Sequence, residues 1–362
     1  VFDSQSGFYP QKSVLLIGEY SWLSCPVLIT TQRAEQGRYN FPSITTYDYN
    51  GSTVPRTITT STPDGTTTIQ NLIYPNDYAP AESDDTWIRT MVDRNVLFPI
   101  EEITHRQDYI IEASAKEYRR GGSENADILL ASEKALRKKT LSYSLYTPSV
   151  YKPSKDAIEF SPIYETIRFY DEYNDNGDLL CFHEKNGLYN SFVYGSNTTF
   201  PIAHITGAKY STSRAANQIF FDDFETGSLK ISDAKSGSGV HNPKLPFIAT
   251  TLSSNSYMAS YWYKTAEDSE WIKHSEKYTV KNGGLQIGGG AHAIPYLLFS
   301  KDAMYVDDLC LIPYNQNATI TSSVIVPGLG PISETDARGR TTYYKYNVFG
   351  LLSEILDNER RV

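Results

Sequence analysis

Cysteine and histidine are scarce in this sequence, and neither residue type is clustered. The three cysteines, Cys25, Cys181 and Cys310, are far apart and form no Cys-x-x-Cys pair, which argues against a zinc site and a disulfide framework. The six histidines are isolated, and none belongs to a His-Glu-x-x-His motif. Cys181 and Cys310 each lie in an apolar run, so we expect them to be buried as small hydrophobic residues.

Signatures of catalysis are missing as well. Gly288 to Gly290 are not followed by the Lys and Ser or Thr of a phosphate-binding loop, and Ser236 to Gly239 lack the context of a nucleophile elbow. In the Asp-Asp and Glu-Glu doublets, neighbouring carboxylates on a strand would point to opposite faces and make poor acid and base pairs. The sequence therefore predicts a protein that is not an enzyme. An enzyme whose site is assembled from scattered carboxylates remains a rival hypothesis.

Long apolar runs and an excess of positive charge are absent too. No run approaches 18 apolar residues, so we expect no transmembrane segment. The chain has 33 Lys and Arg against 42 Asp and Glu, a formal net charge of −9, which argues against nucleic acid and anionic membranes as partners. No signal peptide opens the sequence, and we interpret Val1-Phe2-Asp3 as the start of a fragment or of a mature segment.

The sequence is rich in tyrosine. It has 28 Tyr among 362 residues, with 40% hydrophobic and 21% charged residues, which describes a folded protein long enough for two or three domains. Tyrosine combines an apolar ring with a polar tip and suits broad, half-exposed β surfaces. Together with many short β-branched runs between Gly, Pro and Asn turns, this composition predicts a mainly β fold.

The most regular pattern lies between Ser333 and Asp357. Asp336-Ala337-Arg338-Gly339 should reverse the chain, because Asp can bond to its own backbone and Gly adopts a positive φ at little cost. Thr341 to Tyr346 is then a strand, Asn347 to Gly350 a second turn, and Leu351 to Leu356 the returning strand. We therefore predict three short strands joined by two turns, with Gly339, Asn347 and Gly350 as the structural turn residues.

This stretch resembles the YD repeat of RHS-type proteins. The similar positions are Asp336, Gly339, Thr342, Tyr344, Tyr346, Asn347, Gly350 and Leu352. Asn347 replaces the usual Asp, and Leu351 replaces the usual Arg, which removes a cross-strand partner. An ordinary tyrosine-rich hairpin is the alternative interpretation. A second copy around Tyr173-Asn174 and Gly177 favours the repeat, and Thr46 to Gly51 is a weaker third one.

The resemblance extends loosely along the chain and implies three regions. Residues 1–217 would be a β-rich RHS-like scaffold with one short helix at 84–94, capped by Ser83 and carrying an apolar stripe that includes Trp87 and Ile88. Residues 218–314 resemble the carbohydrate-binding-module-like jelly rolls that are inserted in large YD-repeat proteins of Bacteroidota. Residues 315–362 would continue the scaffold. The first and last strands of the insert should lie side by side.

Two binding sites are predicted in the insert. Asp223, Glu225 and Asp307 would converge if the first and last strands pair, and calcium prefers such oxygen ligands; a structural calcium ion is therefore the one predicted cofactor, against the alternative of solvated turn acids. A glycan face would use the four aromatic residues Tyr257, Tyr261, Trp262 and Trp271. The alternative is that these rings fill the core of the insert.

The resemblance implies a structural role. RHS relatives build a strand-wrapped shell that encloses or displays a C-terminal cargo, so we expect the structural and recognition portion of a secreted or cell-surface protein. Its partners would be other parts of the same polypeptide, and also cell-surface glycans or the secretion machinery, with type IX secretion as the export route if the source is a Bacteroidota species. A carbohydrate-binding adhesion module is the alternative function.

Overall fold

The prediction of a mainly β protein is confirmed, and the residues that the structure describes include the one short α-helix expected from the sequence. The computed structural model describes residues 14–15, 22–23, 31–35, 42–121, 127–195, 200–213, 216–227, 229–244, 252–281, 284–287, 299–314 and 317–361. Cys25 and Gly288 to Gly290 lie outside these residues. The chain divides into two compact units, Val1–Arg168 and Phe169–Val362. This division does not coincide with the domain boundaries expected after residues 217 and 314. Those domain boundaries stay predictions.

The first unit is a ladder of antiparallel strands. Its strands are β1 Val14–Leu15, β2 Trp22–Leu23, β3 Thr31–Glu35, β4 Pro42–Asp48, β5 Thr57–Ser61, β6 Thr67–Ile73, β7 Glu101–Arg106, β8 Tyr109–Gly121, β9 Asp127–Leu136, β10 Leu141–Ser142, β11 Val150–Lys152, β12 Ala157–Glu159 and β13 Tyr164–Tyr173, which ends in the second unit. Strands β3 to β9 pair in chain order. Threonine is frequent in β4 to β6, where its branched side chain fits the pleated surface.

The helix of the first unit, α1, spans Trp87–Asp93 and is shorter than the segment expected from the sequence. Its N-cap is Thr86, whose side chain accepts a hydrogen bond from the backbone N–H of Arg89. The predicted cap, Ser83, lies within a separate turn, in which the Asp84 carboxylate accepts from the backbone N–H of Ala81 at 2.9 Å. The apolar stripe is buried as expected, with Trp87 1% exposed and packed beside Ile88 in one apolar cluster.

The second unit also contains an antiparallel ladder. Its remaining strands are β14 Leu179–Glu184, β15 Tyr189–Tyr194, β16 Pro201–Thr206, β17 Phe220–Asp222, β18 Ser256–Lys264, β19 Ile272–Lys281, β20 Gly284–Ile287, β21 Tyr305–Pro313, β22 Thr319–Val326, β23 Gly330–Thr335, β24 Thr341–Tyr346 and β25 Leu352–Leu356. The ladder order is β13-β14-β15-β16-β22-β23-β24-β25. Because β16 pairs directly with β22, the residues between these two strands are an insertion in the ladder.

The insertion forms a sheet of its own. Its strand order is β17-β21-β18-β19-β20. The first and last strands pair antiparallel, with Phe220 opposite Leu311, as the sequence predicts. One apolar cluster on this sheet includes Tyr257, Tyr261 and Val306. Within the described residues the insertion supplies one five-stranded sheet, so the two-sheet jelly roll stays a prediction.

The two faces of the second ladder have different surroundings. Val193 and Ile205 of the ladder share an apolar cluster with Phe221 and Cys310 of the insertion, so the insertion covers this face. Residues that alternate with them along β15 and β16 point to the other face. Cys181 and Cys310 are 0% and 3% exposed, in line with their interpretation as buried apolar residues. In the described part of the chain, no helix is long and apolar enough to cross a membrane.

Candidate functional site

One hairpin turn recurs throughout the described residues. In each copy, the N–H of the first residue donates to the carbonyl of the fifth, and the N–H of the fourth donates to the carbonyl of the first. The fourth residue has a positive φ, which closes the turn with a one-residue bulge. Six turns share this geometry, and they begin at Thr62, Asn174, Glu184, Asp336, Asn347 and Asp357.

The first side chain of the turn explains why Asp and Asn are frequent there. Asn347 Oδ1 accepts hydrogen bonds from the backbone N–H groups of Phe349 and Leu351, at 2.9 and 3.1 Å. Asp336 Oδ1 makes the equivalent pair with Arg338 and Arg340, both at 2.9 Å. Either oxygen satisfies two backbone donors that the bend leaves unpaired. Asn347 therefore makes the same turn contacts as Asp336.

The fourth residue of the turn requires the left-handed conformation. Gly177, Gly339 and Gly350 have φ values of +83°, +80° and +74°, a region that Gly adopts with little strain. In the last turn Arg360 takes this place at φ +60°. The sequence pattern missed this turn because it lacks the glycine, although the Asp357 carboxylate and Arg361 pair as in the turn at Asp336.

The third sequence echo, Thr46 to Gly51, forms a different turn. Asn50 and Gly51 both have positive φ, at +44° and +77°, and the N–H of Ser52 donates to the carbonyl of Tyr49 at 2.8 Å. This is the geometry of a type I′ turn. The similarity of sequence therefore does not extend to the structure at this position.

The last hairpins are held against the insertion by polar contacts around Lys235. The Tyr343 hydroxyl donates to the Lys235 carbonyl at 2.8 Å, and the Lys235 ammonium donates to Asn358 Oδ1 at 2.8 Å. Arg360 donates to the Ala234 carbonyl at 2.7 Å and lies over the Tyr343 ring. Lys235 is 3% exposed. The ladder and its insertion are thus joined by a directional and partly buried set of hydrogen bonds.

The acids predicted to bind calcium lie near this junction, but they have protein donors. Asp307 is fully buried and accepts from the backbone N–H of Ser236 at 3.1 Å. Glu225 accepts from the backbone N–H of Ser238 at 2.8 Å, and Asp223 accepts from the backbone N–H of Glu225 at 3.1 Å. These bonds make the three carboxylates part of the local loop structure.

Burial dominates the electrostatics of these acids. It raises the pKa of Asp223 to about 7 and the pKa of Asp308 to about 6, and it raises the pKa of Asp307 well above its ordinary value. One oxygen of Asp308 has no hydrogen-bond partner. Among the described residues, no three His, Cys, Asp or Glu side chains are arranged to hold a metal ion. The structure thus lends the calcium site no support, and it stays a prediction.

The four aromatic residues of the predicted glycan face do not form one exposed surface. Tyr257 and Tyr261 are 0% and 1% exposed and belong to the core of the insertion, which is the packing alternative. Trp262 is half-buried on the opposite face of β18, with the Lys235 ammonium 4.3 Å from its ring centre. The Trp271 indole donates to the Asp233 carbonyl at 2.8 Å. Two of the four rings are therefore out of reach of a sugar.

A cavity of about 830 Å³ lies in the second unit, beside the first residues of β16 and β24, the middle of β22 and the end of β23. Its walls include Phe192 and His204, and its rim includes the Asp336 and Asp357 turns. The two rings stack with centres 4.9 Å apart and planes 13° apart. Burial lowers the pKa of His204 and so favours the neutral imidazole. No sequence pattern indicates this cavity, because its walls come from strands more than a hundred residues apart.

The first unit contains a buried carboxylate that sequence reasoning also missed. Glu101 is 1% exposed, and it accepts hydrogen bonds from the Tyr78 hydroxyl and from the Ser149 hydroxyl, the latter at 2.8 Å. Burial and this carboxylate raise the pKa of Tyr164 and of Tyr78. Hydroxyl donors satisfy the buried oxygens, so the arrangement links the start of β7 to the segments that contain Tyr78 and Ser149.

Comparison with known proteins gives remote structural similarities. No protein-family model and no curated protein matches the sequence. The chain is similar to a Tc holotoxin pore structure of Photorhabdus luminescens, with a TM-score of 0.16 and 10% identity, over 92% of this chain and 23% of that chain. It is similar to a TcdB2-TccC3-Cdc42 structure with a TM-score of 0.14 and 11% identity, over 87% and 17%. The chain spans less than a quarter of the length of either.

Proposed function

We propose that this chain is a wall segment of a strand-built shell of the RHS, or YD-repeat, type, in a secreted or cell-surface protein. The shell would carry or display a C-terminal cargo, and the chain's main partners would be other parts of the same polypeptide. The observation that carries the proposal is the recurrent hairpin turn, whose backbone bonds are the same in all six copies. A turn of fixed geometry allows a ladder to be extended strand by strand.

The tyrosines of the repeat support this role. Tyr344 donates its hydroxyl to the Glu334 carboxylate, and Tyr346 donates to the Pro331 carbonyl at 2.8 Å. Both acceptors lie on β23, the neighbouring strand, so each ring lies across the ladder and its polar tip fixes the strand pairing. A wall built in this way depends on cross-strand contacts more than on a deep core.

The test is limited proteolysis of the full-length gene product. We expect the polypeptide that follows residue 362 to resist protease at concentrations that cleave an unfolded chain. Gly350→Val strains one turn of the wall and should make the polypeptide after residue 362 sensitive to the protease. Gly350→Asn should leave it resistant, because Asn tolerates a positive φ. A gene product without further polypeptide, or one whose following segment is cleaved equally in all three proteins, contradicts the cargo role.

A further inference from the structure

Lys235 has an environment that is unusual for a buried lysine. The residue is 3% exposed, and its side-chain nitrogen lies 4.3 Å from the centre of the Trp262 ring. Within the described residues, this nitrogen makes one hydrogen bond, to Asn358 Oδ1 at 2.8 Å, and forms no ion pair. A buried ammonium group without a bonded carboxylate is costly. The surroundings therefore suit an uncharged amine better than an ammonium group.

Lys264 is a second buried lysine in the same unit, and its contacts differ. It is 2% exposed, but its nitrogen pairs with the Asp233 carboxylate and donates to the Glu267 carbonyl at 2.9 Å. These are the contacts of an ammonium group. Burial alone therefore does not distinguish Lys235 from Lys264, whereas the neutral hydrogen-bond acceptor does.

The electrostatics of Lys235 favour the free amine as well. Burial lowers the pKa of Lys235, and the charges of Arg360 and Lys273 act in the same direction, against those of Asp308 and Asp307. A lowered pKa increases the fraction of the side chain that is present as the amine. A lysine that is desolvated in this way is an activated nucleophile.

The Asn358 side chain is held as an electrophile beside this nitrogen. Its Oδ1 accepts from Lys235 and also from the backbone N–H of Thr341 at 3.0 Å, and Thr341 is 1% exposed. A fixed N–H donor polarises the carbonyl and stabilises the negative oxygen that forms when a nucleophile adds to its carbon. Because Asn358 Cγ is one C=O bond from Oδ1, the Lys235 nitrogen lies at most about 4 Å from that carbon. The two reacting atoms are thus already close together.

We infer that Lys235 and Asn358 form an intramolecular isopeptide bond. The Lys235 amine adds to Asn358 Cγ, so that a C–N bond forms and the bond between Cγ and Nδ2 breaks. The proton lost by the Lys235 nitrogen goes to Nδ2, which leaves as ammonia, and nothing is oxidised or reduced. One oxygen of Asp308 has no hydrogen-bond partner among the described residues and can relay this proton. Asn358 is exposed, so the ammonia has a path to the solvent.

Such a bond would join the insertion covalently to the turn that follows β25. The two residues are 123 positions apart, so the cross-link would close a long loop and restrict the unfolded chain. It would also keep the last hairpins on the insertion when the hydrogen bonds around Lys235 open. The inference goes beyond the proposed wall function and does not depend on it.

The experiment measures the intact mass of the complete 362-residue chain under denaturing conditions. We expect a mass about 17 Da below the one calculated from the sequence, which is the mass of the ammonia lost. Lys235→Arg and Asn358→Ala should each have the mass calculated for their own sequence. Lys264→Arg is the matched control, because it changes an equally buried lysine, and it should keep the deficit. Digestion of the unaltered chain should give a branched peptide that links Lys235 to residue 358.

Three results overturn the inference. The first is an unaltered chain whose mass equals the calculated one, which would make the contact an ordinary hydrogen bond. The second is a deficit that persists in Lys235→Arg, because a cyclic imide formed by Asn358 alone loses the same ammonia without the lysine. The third is a digest of the unaltered chain without the branched peptide. This last measurement needs no variant, so it decides the question even if a variant fails to fold.

Discussion

Replacing Gly350 by valine tests the turn geometry most directly. Gly350 has φ +74° and is the fourth residue of the turn that begins at Asn347. A Cβ atom built at this position would have Leu329 Cδ1 at 3.8 Å as its close neighbour, which is an ordinary contact. The added Cβ therefore meets no collision, and the expected cost comes from the backbone, because a β-branched residue disfavours positive φ.

The magnitude follows from that strain. A non-glycine residue held in a sparsely populated backbone region costs on the order of 1–3 kcal/mol. For a cooperative unit of roughly 150–250 residues, each kcal/mol lowers the melting temperature by about 2–4 °C. We expect Gly350→Val to lower the midpoint of the second unit by about 2–12 °C. Gly350→Asn should lower it by much less, since Asn adopts the left-handed region readily.

Scanning calorimetry of the three proteins under the same conditions measures the difference. Comparing Val with Asn removes the loss of chain flexibility that any replacement of glycine brings to the unfolded state. Gly339→Val is a second comparison, because a Cβ at Gly339 would lie 3.2 Å from Trp262 Cζ2, and steric strain should be added to backbone strain. Equal melting temperatures for Gly350→Val and Gly350→Asn would refute the reasoning.

Three other predictions concern the junction between ladder and insertion. Tyr343→Phe leaves the Lys235 carbonyl without its donor and should lower the free energy of unfolding by about 1–2 kcal/mol in urea titrations; an unchanged midpoint would show that water replaces the hydroxyl. The pKa of Asp223 is raised by burial to about 7, so the folded form holds the proton more tightly, and stability should fall as the pH rises from about 4 to about 7. In EDTA, the fall in the free energy of unfolding between pH 4 and pH 7 should be smaller for Asp223→Asn than for the unaltered protein. Calcium should raise the melting temperature if Asp307 helps to bind it, and Asp307→Asn should abolish that response; a melting curve indifferent to calcium and EDTA makes the prediction wrong.

The turns could be predicted from the sequence because their cause is local. Asn347 bonds to N–H groups two and four residues away, and Gly350 supplies the φ that the bend requires. Everything that fixes the conformation lies within five consecutive residues. The turn at Asp357 was missed because Arg360 holds the positive φ while its guanidinium reaches the Ala234 carbonyl at 2.7 Å. The positive φ of Arg360 is thus accompanied by a hydrogen bond to a residue more than a hundred positions away in the sequence.

The helix boundary depends on a distant residue as well. Both the backbone N–H and the indole N–H of Trp87 donate to Asp156, at 2.9 and 2.7 Å. The first of these bonds satisfies a backbone N–H at the helix N-terminus that would otherwise need a local partner. Ser83 and the acids after it satisfy the local rules for a helix start equally well, so the sequence could not distinguish Thr86 from Ser83.

The candidate sites show the same limit in a stronger form. Alternation along β18 establishes that Tyr257 and Tyr261 share a face, but it does not show whether that face is covered. The structure buries it in the insertion core. Conversely, Phe192 and His204 alternate along their strands with Val193 and Ile205, and the strands themselves do not show that the insertion packs against the latter pair. Which ring can meet a ligand is therefore decided by the position of the insertion, a property that no local pattern contains.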